Sequence, residues 1–132
     1  MLSPSLTFSC FALILCATIG TASAEITESY KCKLKPGSTR AEIRSIGQDY
    51  LAVQHSLDFE DFDLTLLFPK YGADISSGTF YWNGVSPNIE RLEAAVAIWE
   101  SKENKAVFER WGQIVDDCES ATLFESVNIQ AN

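Results

Sequence analysis

Few side chains of this chain could do chemistry. Two of them are Cys32 and Cys118, which lie far apart in the sequence. Cys32 and Cys118 cannot form a zinc site by themselves, because such a site usually needs four nitrogen or sulfur ligands at close spacing. In an oxidising compartment two such residues form a disulfide. We predict this pairing, with two free thiols as the alternative.

Four carboxylates lie close together near the middle of the chain, at Asp58, Glu60, Asp61 and Asp63. Hard cations bind several oxygen ligands, so a cation site is one interpretation of this cluster. The run lacks the D-x-[DN]-x-[DN]-G pattern of a calcium loop, and we predict solvated carboxylates in a turn. We expect no metal and no other cofactor. The chain also contains no G-x-S-x-G, P-loop or H-E-x-x-H motif, so no reaction is assigned from motifs.

The N-terminal segment, residues 1–24, contains no charged side chain and ends in Ala22-Ser23-Ala24. Its apolar run is about 12 residues long, which suits a signal peptide and is short of the ~20 residues of a membrane span. We therefore predict cleavage before Glu25 and a single exported domain of residues 25–132, located in the periplasm or the medium. An uncleaved membrane anchor is the alternative.

The formal net charge of −8 belongs to the part of the chain that remains after this cleavage. An acidic domain is repelled by phosphate backbones and by anionic lipid headgroups. We therefore expect no nucleic-acid partner and no membrane association after cleavage.

Sequence periodicity predicts four strands and two helical regions in the order β-α-β-β-α-β. Residues 26–35 alternate between apolar and polar side chains, with Glu28 as the exception on the apolar side. Thr39 and Glu42 form a capping-box pattern before an apolar helical stripe. The later segments are strands at 62–68 and 79–83, a helical region that opens at Ser86-Pro87 and is interrupted at 100–103, a further helix capped by Asn104, and a strand at 122–130.

This order predicts an α+β, ferredoxin-like fold, in which an antiparallel sheet of order 4-1-3-2 carries the helices on one face. The first and last strands are neighbours in this topology. The end of the first strand, near Cys32, would then lie beside the start of the last, near Cys118. The predicted disulfide and the predicted sheet therefore support each other.

With its Tyr/Trp-rich third strand and an extra helical turn before the last strand, the chain resembles the dimeric α+β-barrel superfamily. That superfamily includes antibiotic-biosynthesis-type monooxygenases and stress-responsive barrel proteins. The motifs Cys-x-Leu-x-Pro-Gly at 32–37 and Trp-x-Gly-x-x-Pro at 82–87 are also similar to those of small exported bacterial proteins of unassigned function. The resemblance implies the fold and a homodimer, and it transfers no catalytic residue.

His55 is the single histidine, and the superfamily resemblance suggests a haem ligand or a general base. At about 100° per residue, His55 lies roughly 120° to one side of Ile43, whereas the apolar stripe centres about 50° to the other side. We therefore expect His55 to point into solvent, with a functional role as the alternative.

The face of the predicted sheet away from the helices mixes polar and aromatic side chains. Strand alternation assigns Lys31, Asp63, Tyr81 and Asn83 to this face. We predict a protomer interface or a pocket for a small-molecule ligand there, with an ordinary solvent-exposed face as the alternative. The expected function is an exported protein that self-associates through its sheet and binds a small ligand. The alternative is a small exported enzyme of the monooxygenase-like barrel type.

Overall fold

A computed structural model describes residues 24–72 and 78–131 of the chain. Residues 1–23 of the predicted signal peptide lie outside the described part. Within the described part, no helix is both long and apolar enough to cross a membrane.

The described residues form five strands and three helices. The strands are β1 (Ile26–Leu34), β2 (Asp63–Leu67), β3 (Thr79–Ser86), β4 (Val115–Cys118) and β5 (Thr122–Glu125), and the helices are α1 (Arg40–Ser56), α2 (Ile89–Val96) and α3 (Lys105–Ile114). Two short 3-10 helical turns, Ala97–Glu100 and Lys102–Asn104, connect α2 to α3.

The sheet is antiparallel with strand order β2-β3-β1-β4, and β5 also pairs with β1. The predicted ferredoxin-like α+β fold and its strand order are therefore confirmed. The register between β1 and β3 is continuous from Ile26 opposite Ser86 to Lys33 opposite Thr79. Gly84 therefore introduces no bulge.

The predicted last strand is instead two short strands, because the chain leaves α3 directly into β4 and pairs again with β1 further along. The run Val115-Asp116-Asp117-Cys118 has no apolar alternation that would mark it as a strand. Residues 126–131 form no strand, since β5 already reaches the start of β1 where Glu125 lies opposite Ile26. The amide of Ser126 makes one more bond, to the carbonyl oxygen of Glu25.

The helix starts follow the expected chemistry with one correction. Thr39 caps α1 in a capping box, in which Glu42 N donates to Thr39 Oγ1 at 3.2 Å and Thr39 N donates to Glu42 Oε2 at 2.7 Å. The predicted start of the second helical region at Ser86 is wrong. Ser86 ends β3 and is buried opposite Ile26, and the side chain of Asn88 caps α2.

The helices cover one face of the sheet, and the core lies between them. Phe80 and Trp82 of β3 are buried on this side, as their size predicts. Cys32 lies directly opposite Cys118, and the two form the predicted disulfide with their Cα atoms 4.0 Å apart. This bond joins the edge strand β4 to the centre of the sheet.

Candidate functional site: an aromatic cavity between helices and sheet

A cavity of about 520 Å³ opens between the sheet and the segment that links α2 to α3. We call it the aromatic cavity. Its lining combines aromatic rings, a few small residues, two carboxylates and one sulfur atom of the disulfide. The lining residues are Glu28, Tyr30, Tyr50, Phe62, Trp82, Gly84, Val96, Ala97, Trp99, Glu100, Trp111 and Cys118.

Four rings of the lining form one connected cluster. Trp99 lies edge-on to Tyr50 and to Trp111, with centroids 5.1 Å apart in both pairs, and Trp82 lies 4.8 Å from Trp111. Edge-to-face pairs at such separations are favourable beyond the area that they bury. All three tryptophans of the chain therefore belong to one cluster at the cavity.

The ring of Tyr50 is held by a hydrogen-bond network at its hydroxyl. Gln54, one turn further along α1, is fully buried and donates from Nε2 to Tyr50 Oη at 2.7 Å and to the carbonyl oxygen of Ala95 at 2.7 Å. Burial raises the pKa of Tyr50 to about 12, and the charge of Glu28 adds to the rise. The phenol therefore stays neutral at physiological pH.

Glu28 and Tyr30 form a polar pair in the cavity. They follow each other on the helix-facing side of β1, and Tyr30 Oη donates to Glu28 Oε1 at 2.8 Å. Burial raises the pKa of Tyr30 well above its ordinary value, and both the hydrogen bond and the charge of Glu28 raise it further. Tyr30 is therefore a protonated donor that keeps the carboxyl group of Glu28 in place.

Gly84 makes room for Phe62 at the floor of the cavity. A Cβ atom at Gly84 would lie 2.9 Å from both Cε2 and Cζ of the Phe62 ring. Only a glycine lets this ring, which is 1% exposed, approach the backbone of β3 so closely.

The four residues predicted for a pocket or interface lie on the other side of the sheet. In the register Lys31 is opposite Tyr81, and Asn83 is opposite Thr65, two positions from Asp63. The outer face is formed by Thr27, Ser29, Lys31, Lys33, Asp63, Thr65, Leu67, Thr79, Tyr81, Asn83, Val85, Asp117, Thr122 and Phe124. Asn83 Oδ1 accepts a hydrogen bond from Ser29 Oγ at 2.6 Å, and Lys31 lies 3.9 Å from Glu119. None of the four lines the aromatic cavity.

His55 and the acidic cluster lie outside the aromatic cavity. His55 is exposed, and its Nε2 lies 3.3 Å from the carbonyl oxygen of Phe62. Asp61 accepts from Arg91 Nη2 at 2.7 Å and from its Nε at 2.9 Å, and Arg91 also donates to the carbonyl oxygen of Asp58. Arg91 holds the pKa of Asp61 below its usual range. The cluster therefore joins the turn before β2 to α2.

Sequence reasoning placed the candidate site on the outer face of the sheet, whereas this cavity lies on the helix-facing side. One signal was present: Glu28 interrupts the apolar side of β1, and a carboxylate on a core-facing position needs a reason. The residues from Val96 to Glu100 gave no such signal, because their place above the sheet depends on the path of the 3-10 turns.

No protein-family profile matches the chain, and no curated protein matches its sequence. Solved structures match its fold. SnoaB, a cofactor-independent oxygenase from Streptomyces nogalater, is 14% identical with a TM-score of 0.58, covering 83% of this chain and 99% of that chain. A Caulobacter crescentus protein provisionally described as an antibiotic biosynthesis monooxygenase is 15% identical with a TM-score of 0.57, covering 81% and 93%.

A nipsnap family protein of unknown function from Agrobacterium tumefaciens is 10% identical with a TM-score of 0.60, covering 82% of this chain and 93% of that chain. At such identities the likeness shows the fold alone. The resemblance expected from the sequence is thus confirmed at the level of the ferredoxin-like fold, in a group that includes both oxygenases and proteins of unknown function.

Proposed function

We propose that the protein binds a small, largely apolar organic molecule in the aromatic cavity. The observation that carries this proposal is the cavity itself, about 520 Å³ in volume and lined mainly by aromatic side chains with a few convergent polar groups. Ligand sites for small molecules have this size and composition. The hydrogen bonds at Tyr50 and Tyr30 hold two of the lining rings in place without a ligand.

The experiment uses the neutral fluorophore N-phenyl-1-naphthylamine and the tryptophan fluorescence of the purified protein. Since all three tryptophans line the cavity, binding should quench their emission and raise that of the probe. Ala97 belongs to the lining, so the larger side chain of Ala97→Phe should narrow the cavity and weaken binding at least tenfold. Ala94→Phe, on the exposed side of α2 and outside the cavity, is the matched control. Absence of probe binding, or equal binding by both variants, would contradict the proposal.

Self-association through the outer face is the second part of the proposal, and a second copy of the chain is the partner. Leu67 and Phe124 are large apolar side chains on this face with 49% and 53% of their surface exposed. Exposed apolar side chains grouped with polar ones are typical of interaction surfaces. The face also carries both Lys31 and Asp63, so a copy related by a two-fold axis offers charges of both signs.

Phe124 has a matched control within its own strand. Leu123 is 54% exposed, but in the register it lies opposite Glu28 and therefore on the other face of the sheet. In sedimentation equilibrium at high micromolar concentration, the wild-type protein and Leu123→Asp should be dimers and Phe124→Asp a monomer. A monomeric wild-type protein would contradict the proposed interface.

Export remains part of the proposal and is supported by the disulfide, which is compatible with an extracellular location. N-terminal sequencing of the exported protein should find Glu25 as the first residue. Recovery of an intact Met1 form in the membrane fraction would contradict cleavage.

A small exported oxygenase-type enzyme is the alternative function, and the hydrogen-bonded pair of Glu28 and Tyr30 inside the cavity favours it. A carboxylate beside bound substrate can accept a proton from it. Oxygen-electrode measurements with dihydroxylated aromatic compounds test this alternative. Uptake above the protein-free rate that Glu28→Gln abolishes and Glu93→Gln retains would support an enzyme.

A further inference from the structure

The charged side chains that line the aromatic cavity are all acidic. Of the described residues that line it, Glu28 and Glu100 carry carboxylates and none is Lys, Arg or His. The parts of the chain outside the description, residues 1–23, 73–77 and 132, contain no Lys, Arg or His in their sequence. No basic side chain from those parts can therefore balance the two carboxylates.

Neither carboxylate is neutralised elsewhere within the described part of the chain. The ion pairs there join Lys31 to Glu119, Arg91 to Asp61, Lys102 to Glu103, Lys105 to Glu109 and Arg110 to Asp49. Glu28 has Tyr30 Oη as a donor at 2.8 Å, and a phenol orients a carboxylate without cancelling its charge. The negative charge therefore remains available to a ligand.

The aromatic rings of the lining also favour a positively charged ligand. The faces of aromatic rings carry negative partial charge and attract cations, tryptophan most strongly. Three tryptophans and two tyrosines line this cavity beside the carboxylates. Cages of several aromatic rings with an acidic group are how proteins bind alkylated ammonium groups. The net charge of −8 attracts cations to the protein from a distance and disfavours anions.

Resting on the proposed binding function, we infer that the cavity selects organic cations whose charge lies on an alkylated ammonium group. The ammonium group lies among the rings of Trp82, Trp99 and Trp111, next to the carboxylate of Glu28. An apolar or aromatic remainder of the ligand fills the rest of the cavity. Neutral molecules of the same shape bind more weakly, and organic anions are rejected.

The test compares choline with 3,3-dimethylbutan-1-ol, which has the same shape and hydroxyl group but a neutral carbon in place of the nitrogen. Each compound displaces N-phenyl-1-naphthylamine from the purified protein, with tryptophan fluorescence as a second readout. We expect choline to bind at least tenfold more tightly than the alcohol. Acetate should not displace the probe.

Charge variants assign the selectivity to the cavity. Glu28→Gln should reduce the preference for choline over the alcohol to less than threefold. Glu100→Gln is a second variant. Because Glu100 is exposed, this variant should reduce the same preference without affecting folding. Glu93→Gln removes the same charge from α2 outside the cavity and should keep the full preference.

The outcomes separate this inference from the proposed function. Equal displacement by choline and the alcohol, tighter binding of the alcohol, or no displacement by 10 mM choline would overturn the selection of cations while probe binding still stood. A preference that both glutamine variants retain would also overturn it. Absence of probe binding in the wild-type protein would overturn the proposed function itself.

Discussion

At the scale of single residues, Gly84 decides how closely Phe62 approaches the sheet. In Gly84→Ala the new methyl group would lie 2.9 Å from two atoms of the Phe62 ring, which is 1% exposed. Such overpacking typically costs about 1–3 kcal/mol of unfolding free energy. Gly112→Ala is the control, because a Cβ there meets nothing within 4 Å and lies within a helix, so it should be neutral or stabilise by up to ~1 kcal/mol. Urea unfolding of both variants measures the difference, and equal stabilities would contradict the packing argument.

Tyr50 is expected to make stability depend on pH in the alkaline range. Its pKa is raised from 10.0 in the unfolded chain to about 12 by burial, so the folded state holds the phenolic proton more tightly. The resulting stabilisation is fully present below pH 10 and is lost as the pH rises from 10 to 12, by about 2–3 kcal/mol. Tyr50→Phe should remove this part of the alkaline slope. Unfolding measured between pH 8 and 12 provides the comparison, and an unchanged slope in the variant would refute the assignment.

At the scale of elements, α1 depends on the capping box at its start. Thr39→Ala removes the acceptor for Glu42 N and should lower the unfolding free energy by about 1 kcal/mol. Thr39→Ser keeps the hydroxyl and should stay close to wild type. Chemical denaturation gives the energies, and hydrogen exchange should show faster exchange in the first turn of α1 for the alanine variant alone. Equal losses in both variants would show that the methyl group of Thr39, not its hydroxyl, stabilises the helix.

The elements also show what the sequence could predict. Where a segment is buried on one side only, as in β1 and α1, alternation or helical periodicity gave its type and its buried face. Where a segment is held mainly by its neighbours, the pattern was missing. Strand β4 carries Asp116 and Asp117 and is a strand because it lies against β1, and the 3-10 turns follow from the packing of Trp99 on the helix-facing side.

The candidate site was less predictable than the fold for the same reason. A cavity is the space left between packed elements, and periodicity gives the direction of a side chain but not the distance between layers. Glu28 was the one signal in the sequence for a site on the helix-facing side, because a carboxylate among apolar neighbours is costly unless something compensates it. The residues opposite it, such as Ala97 and Glu100, come from a segment whose position only the three-dimensional structure shows.

At the scale of the whole molecule, the disulfide joins residues 86 positions apart and fastens the edge strand β4 to the centre of the sheet. In the chain-entropy model, closing so long a loop stabilises the folded state by about 4–5 kcal/mol, and measured losses on removal of native disulfides are about 2–5 kcal/mol. The double variant Cys32→Ser, Cys118→Ser should therefore lose about 2–5 kcal/mol of unfolding free energy, and reduction of the wild-type protein should reproduce that loss.

Because β4 pairs with β1 over only three positions, its amides and that of Glu119 should lose protection first in hydrogen exchange when the disulfide is absent. The amides that pair β2 with β3 should still exchange only through global unfolding. A loss below ~1 kcal/mol, or uniform loss of protection across the sheet, would mean that the packing of the helices alone determines the position of β4.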